Sequence, residues 1–384
     1  MKDFVFQSTP KVVFGLKSID LLTSEVAFFN KKRAFFVVDP IVAKLDFFNS
    51  IISKFKNTDI QFGIFSEIES DPSFETADNA TFSARDFNAE IIIGIGGGSA
   101  LDIAKIVAIT SRTGETAKSL INKPEITENG LPLILIPTTA GTGSEVTHIS
   151  ILSNNNEKIK SGLVSPRLYA DVAILDPEIT LSLPQNVTAF SGIDAIIHAL
   201  EALTSKLATP LTDLIALEAL SILYNNIFEV FSNGKNIEAR SNMLYGSMLA
   251  GKAFANSSVA AVHAFAYPIG AEFHIPHGLA NSIMLLPVLR FNINSEIKKY
   301  AKAAKAIGIN TKGITQKEAA YQLIIKLEEM LNTLKVKRYL RFHGVKQSDI
   351  PKLAEKVMKI KRLMNNNPRK ISLKDAEKLY QEAF

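Results

Sequence analysis

Three consecutive glycines, Gly96, Gly97 and Gly98, stand between an apolar run and a helical stretch in EIIIGIGGGSALDIAK, residues 90–105. No other feature narrows the folding of the chain as far. A strand must end, turn without side chains and feed a helix directly. Lacking Cβ atoms, the glycines let the backbone come close to a ligand. The helix that begins near Ser99 brings free N–H groups and the positive end of its dipole, which suit an anion such as a pyrophosphate. The pattern is neither the Rossmann G-x-G-x-x-G nor a P-loop, since no GK[ST] follows. A tight strand-to-helix turn without a ligand is the competing reading.

Around this turn the chain alternates short β-rich runs with helical stretches. AFFVV (34–38), IIIGI (91–95), LPLILI (131–136) and DVAILDP (171–177) have strand length, and the first three are continuously apolar. Parallel strands buried on both faces read this way. Segments such as LDIAKIVAITS lie between them, so the spacing predicts an α/β sheet of mostly parallel strands. From about residue 186 the pattern changes to long amphipathic or Ala-rich runs, among them DLIALEALSILYNNIFEVF and KEAAYQLIIKLEEMLNTL. Two domains are expected from 384 residues: an α/β domain over 1–183 and an all-α domain over 184–384. A cleft between two such domains is a usual ligand site. There is no internal repeat, and the Asn-rich tract at 153–158 reads as a loop.

A second loop supports the cradle. IPTTAGTGSEVT (136–147) follows the LPLILI run and offers Thr138, Thr139, Thr142 and Ser144 with two glycines. At the C-terminal edge of an open α/β sheet such hydroxyls and bare amides suit phosphate or nicotinamide. Asp39 ends the run RAFFVVD; a carboxylate there can accept from ribose hydroxyls and would repel a 2′-phosphate, favouring NAD over NADP. A turn-forming Asp ahead of Pro40 is the alternative.

Composition excludes several classes. The chain has no cysteine, hence no disulfide or thiolate metal site, compatible with a reducing cytosol. MKDFVFQSTPKVVFG lacks the long apolar run of a signal peptide, and no uninterrupted apolar run approaches the roughly 20 residues that span a bilayer. A soluble, cytoplasmic chain without a membrane partner is expected. The net charge is +5, and residues 331–384 carry 14 Lys and Arg against 5 Asp and Glu. In LAEKVMKIKRLM, however, those charges alternate with apolar residues at helical spacing, so solvated helix faces are expected and nucleic acid is not.

The stretch SGIDAIIHALEAL (191–203) sets Asp194, His198 and Glu201 at i, i+4 and i+7, on one helix face. That stripe is either the wet side of an amphipathic helix or the wall of a metal site. The chain has six histidines, and His198, His263, His274 and His277 all fall early in its helical half. One carboxylate with three imidazoles suits a borderline divalent ion such as Fe²⁺ or Zn²⁺ and leaves a coordination position for substrate. On this basis His274 could stand in for His277.

Taken together, GGGSALDIAK, PTTAGTGSEVT, GIDAIIHALEA and HAFAYPIGAEFHIPHGLAN resemble the iron-dependent (group III) alcohol dehydrogenases. The likeness runs from FGLKSI to NNPRKISLKDAEKLY, with the motifs in the same order. It implies the dehydroquinate synthase-like, iron-dependent alcohol dehydrogenase fold, an α/β domain for NAD(P) and a helical domain for the metal. It places the ligands at Asp194, His198, His263 and His277, with Fe²⁺ ahead of Zn²⁺. It sets Gly97, Gly98 and Ser99 at the pyrophosphate, with Asp102 in the following helix among the cofactor-binding residues, Thr138, Thr139 and Thr142 near the phosphates and nicotinamide, Lys160 near the ribose, and Asp39 where NAD is favoured. Hydride transfer between NAD and a small alcohol, aldehyde or ketone follows, in a homo-oligomer of two or more copies.

Three positions depart from the family pattern. Tyr267 stands where many members have a proton-relaying His, Phe190-Ser191 replaces a small residue and Thr, and Ala170 replaces a common Pro. The phenol of Tyr267 can still donate and accept a hydrogen bond, which keeps it among the catalytic candidates. A dehydroquinate-synthase-like or sugar-phosphate cyclase lyase shares the layout, but needs a basic cluster that the apolar AFAYPIGAEF and ANSIMLLP segments lack. A non-catalytic NAD-binding protein is the third reading.

Overall fold

The computed structural model describes residues 3–123, 125–154 and 159–384, so most of the Asn-rich tract at 153–158 lies outside the described residues. The chain divides into two compact units, Gln7–Ser182 and Leu183–Phe384, the second joined by the N-terminal residues through Phe6.

The first unit is built on six parallel strands: β1 (Lys11–Phe14), β2 (Arg33–Val38), β3 (Gln61–Phe65), β4 (Ile91–Gly96), β5 (Leu133–Pro137) and β8 (Val172–Leu175), in the order β1-β8-β5-β4-β2-β3. A separate antiparallel hairpin pairs β6 (Ile149–Asn154) with β7 (Ile159–Val164). Successive side chains of a strand point to opposite faces, and here both faces are apolar. Phe35, Val37, Ile92, Leu133 and Leu135 enter one core with helices Phe74–Asp86 and Gly98–Thr113. Ala34, Phe36, Val38, Ile91, Ile93, Ile95, Ile134 and Ile136 enter the other. That two-sided burial is why these strands read as continuous apolar runs.

Strands β1 and β3 and the hairpin escape the sequence pattern. The β3 segment QFGIF is partly exposed, as is KVVF of β1 at the other edge, so neither needs an unbroken apolar run. The β5 strand begins at Leu133, two residues into its apolar run. Chain order reverses between β2 and β4: β3 lies outside β2, whereas β4 and β5 lie on its other side. In open parallel sheets such a reversal opens the crevice where ligands bind.

The second unit contains no strand among the described residues. Its central helix, Gln185–Thr204, follows Pro184 and buries 15 of its 20 residues. Pro210–Ser232 and Ile237–Ser257 pack on it, followed by Ala261–Phe273 and His277–Asn292. Two helices, Gln185–Thr204 and Pro210–Ser232, are long and apolar enough to cross a bilayer by length and composition. Neither is an uninterrupted apolar run: Asp194, His198 and Glu201 break the first, and Asp213, Glu218 and Glu229 the second. The apolar window of the first is 83% buried, as in the core helix of a folded unit, and that of the second 33%.

The basic C-terminal stretch is helical as its spacing predicts. In Ile350–Met358, Ile350, Leu353, Ala354 and Val357 are buried, while Lys352 and Lys356 reach Glu272 at the end of Ala261–Phe273. Hydrogen bonds from Lys352 and then Lys356 hold the Glu272 carboxyl down at about 2, against an ordinary 4.5. A depressed carboxyl contributes stability above its unfolded value and loses it as pH falls through the folded one. Urea midpoints measured from pH 5 to pH 2 should therefore fall less steeply in Glu272→Gln than in the unaltered protein.

Candidate metal and cofactor sites

The glycine turn sits at the sheet reversal. Asp39 follows β2 and donates its backbone N–H to the Ile95 carbonyl of β4 at 3.0 Å, which brings the two strand ends together. A Cβ on Gly96 would stand 2.7 Å from Ala100 Cβ and 2.8 Å from Asp39 Cβ, so only glycine fits between helix and neighbouring strand. Gly97 is the N-cap of Gly98–Thr113 and brings no side-chain acceptor; its carbonyl takes the Ala100 and Leu101 N–H groups at 3.1 and 3.2 Å. Gly98 and Ser99 are its first two residues, so the helix starts one residue before the expected Ser99.

The threonine loop closes against this turn. Thr138 is buried and donates its N–H to the Gly96 carbonyl at 2.9 Å. The Cβ position of Gly97 lies 3.6 Å from Thr139 Cγ2, and that of Gly98 only 2.8 Å from Thr142 Cγ2. Thr142 Oγ1 accepts from the Ser144 N–H. Asp39 uses Oδ1 to accept from the N–H groups of Ile41 and Val42 at 2.8 and 3.2 Å, the turn-forming role weighed as its alternative.

Asp102, in the helix that follows the glycine turn, is bonded within the unit. Its carboxylate accepts from Ser144 Oγ at 2.6 Å and the Ile151 N–H at 2.8 Å, which ties the helix to the threonine loop and to β6. Lys105, one turn on, is fully buried. It donates to Ser144 Oγ at 2.7 Å, Thr147 Oγ1 at 3.2 Å and the Ile149 carbonyl at 2.7 Å, and lies 3.5 Å from Asp102. Burial pushes the Asp102 carboxyl up and the Lys105 ammonium down, each opposed by the other's charge. Sequence reasoning passed over Lys105; its i, i+3 spacing from Asp102 was the available signal. Lys160 pairs with Asp71 at 2.6 Å.

In the helical unit, Asp194, His198 and Glu201 are 2%, 5% and 5% exposed, which removes the wet-face reading. Ligand atoms of Asp194, His263 and His277 all lie within 4.8 Å of one another. Asp194 Oδ1 is 3.6 Å from His263 Nε2 and 3.8 Å from His277 Nε2. His198 stands beside this trio rather than in it: its Nδ1 is 3.9 Å from Asp194 Oδ2. Its ring is stacked between Phe254 and His263, with centroids at 4.3 and 4.5 Å, and that packing sets its plane. His274 is the exposed left-handed C-cap of Ala261–Phe273 and lies outside the trio. Tyr267 is buried, with its ring centroid 6.2 Å from that of His277.

Two further side chains complete the cluster. Glu201 accepts from His263 Nδ1 at 2.6 Å. Asn281, one turn after His277, donates to Asp194 Oδ1 at 2.6 Å, and the same nitrogen lies 3.1 Å from His277 Nε2. Both were visible as polar residues at helical spacing from a candidate ligand, Glu201 at i+7 and Asn281 at i+4. Burial pushes the Asp194 carboxyl up, but the charges of His198 and His277, with His263 close by, outweigh it and hold it far below the carboxylate range. For His263 burial acts downward, and Asp194 and Glu201 overcome it, raising the imidazole to about 9.

This set fits a divalent ion. His263 Nε2 is a buried nitrogen without a hydrogen-bond partner among the described residues. Two atoms each about 2.1 Å from one tetrahedral ion lie about 3.4 Å apart, close to the separations found here and too long for hydrogen bonds.

Two substitutions test the packing of these sites. Lys105→Met leaves Asp102 as a buried charge without its partner and should cost about 3–5 kcal/mol in urea unfolding. A Cβ on Gly278 would collide with the Phe190 carbonyl, whose carbon lies 2.8 Å away. Gly278→Ala should therefore cost about 1–3 kcal/mol and, by displacing adjacent His277, weaken Zn²⁺ binding in chelator competition.

Known proteins place this architecture. The family model described as iron-containing alcohol dehydrogenase matches residues 9–177, and that of the C-terminal part of the Fe-containing alcohol dehydrogenase family matches residues 188–384. Long-chain-alcohol dehydrogenase 1 of Geobacillus thermodenitrificans is 36% identical over 98% of this chain and 97% of its own length. Sulfoacetaldehyde reductase of Bilophila wadsworthia is 38% identical over 96% of each. The crystal structure of a 1,3-propanediol oxidoreductase superposes with a TM-score of 0.96 over 100% of both chains at 31% identity. The chain belongs to the iron-containing alcohol dehydrogenase family.

Proposed function

We propose that this oxidoreductase interconverts an alcohol and its aldehyde or ketone, with NAD on the glycine turn and threonine loop and one Fe²⁺ on Asp194, His263 and His277. The observation that carries this reading is the buried His263 Nε2, without a hydrogen bond and 3.6 Å from Asp194 Oδ1. His198, 3.9 Å from the other Asp194 oxygen, is the proposed fourth ligand. When bound, the ion supplies a Lewis acid that lowers the pKa of an alcohol, and the nicotinamide supplies the hydride acceptor.

The chain's own residues do the rest. Asp194 contributes the one negative charge of the trio, and Asn281 orients its carboxylate. Gly97, Gly98 and Ser99 offer backbone amides to the pyrophosphate, while Thr138, Thr139 and Thr142 line the facing loop. In this reading Asp102 acts indirectly, through Ser144, and Lys160 lies along the ribose side. Asp39 at the end of β2 favours NAD, because a 2′-phosphate there would meet a carboxylate. Tyr267, beside His277, can pass a proton through its hydroxyl.

Relatives named for long-chain alcohols and for sulfoacetaldehyde share only the hydroxyl or carbonyl carbon, so the alcohol itself is left to experiment. The lyase reading is not favoured, since those relatives are named as a dehydrogenase and a reductase. Homo-oligomer formation belongs to the same proposal, and light scattering on the purified protein measures its order.

Chelator-stripped protein, handled anaerobically and given Fe²⁺ or Zn²⁺ separately, should reduce NAD⁺ with a pool of primary alcohols and diols only after metal is restored. Asp194→Ala and His277→Ala should lose at least about 100-fold in kcat while NAD still binds by fluorescence titration. Near-normal turnover of either variant without metal would sink the reading.

A further inference from the structure

Glu201 is a buried carboxylate that the reaction described above does not use. It lies two helical turns after Asp194 on Gln185–Thr204, so a rigid helix carries both residues on one face. Three hydrogen bonds are directed at it. Oε1 accepts from the Val262 N–H at 2.6 Å, and Oε2 accepts from the Ala260 N–H at 3.0 Å and from His263 Nδ1 at 2.6 Å.

The two backbone contacts have a clear local cause. The N-cap of helix Ala261–Phe273 is Ala260, whose side chain cannot cap it. Glu201 fills that need from another helix, and a carboxylate suits the positive end of a helix dipole. Held by those two amides, its Oε2 has little freedom and meets the His263 ring at Nδ1. A cap alone would need only the amides; the third contact falls on a candidate ligand.

We propose that Glu201 is a positioning residue for the metal centre, which accepts a hydrogen bond from the Nδ1–H of His263 and so commits Nε2 to the ion. This rests on the metal reading above. The two imidazole nitrogens are distinct, and the partner of one decides what the other can bind. With Nδ1–H donated to Glu201, Nε2 is the nitrogen left without a hydrogen bond, and it faces Asp194. Stacking on His198, with the planes 25° apart, restrains the remaining rotation of the ring. The polar stripe of SGIDAIIHALEAL thus supplies one ligand through Asp194 and aims a second through Glu201.

The test uses the full chain, stripped of metal, with Zn²⁺ as probe. In Glu201→Leu all three contacts are lost, the one to His263 among them. Chelator competition should give a Zn²⁺ Kd raised about 10- to 100-fold, with circular dichroism and NAD binding retained. A lower Tm with Zn²⁺ affinity within twofold of the unaltered protein would make Glu201 a cap only and overturn the proposal. Should Glu201→Leu not fold, ¹⁵N-histidine NMR of the unaltered Zn²⁺-loaded protein decides. The His263 ring is expected to carry its proton on Nδ1 and the metal on Nε2, and the reverse assignment refutes the proposal. If the unaltered protein binds no Zn²⁺, the metal reading fails first, and the proposal with it.

Discussion

The helical unit is organised around one buried charge. Asp194 is 2% exposed in the middle of an apolar helix, and a carboxylate in such a place must be compensated. His198, His263, His277 and Asn281 all gather within reach of its two oxygens. They come from three helices, so the positions of those helices follow from the demands of that charge as much as from apolar packing. Gly278 records the tolerance, since His277–Asn292 approaches the Phe190 carbonyl too closely for any side chain there.

The sheet unit meets the same problem and solves it differently. Asp102 and Lys105 are buried together, and Ser144, Thr147, the Ile151 amide and the Ile149 carbonyl take up their hydrogen bonds. That network is complete without a ligand and holds the threonine loop against the glycine helix. Around Asp194 the network stops short: His263 Nε2 and Asn281 Oδ1 have no hydrogen bond among the described residues. Buried polar groups are nearly always satisfied, so an unsatisfied one needs a reason. Closed networks position; the open one is where chemistry is proposed.

Where the elements proposed to hold the cofactor sit is set by strand order. The turn after β4 and Asp39 after β2 meet because those strands pair across the reversal of the sheet, and the threonine loop follows β5, the next neighbour. Two-sided apolar strands make that sheet stable, and the glycines make its edge approachable.

The sequence by itself determined the elements whose signals are local. The continuous runs of β2, β4, β5 and β8, the glycine turn, the change to helices near residue 186 and the Asp194–His198 pair all follow from period and residue type. The four motifs also carried the family. Only the tertiary structure decided which polar side chains meet. Lys105 reads as an ordinary charge in a helix until Ser144, Thr147 and Ile149 are folded onto it. His198 sits in the ligand motif, yet stacking on Phe254 and His263 leaves it beside the trio. Between His277 and His274, separated by three positions, the backbone chose by turning His274 into a left-handed cap. Glu201 and Asn281 gained their partners the same way. Periodicity fixes the face a residue shares, but its partner comes from another helix, and that pairing is settled by packing across distant segments.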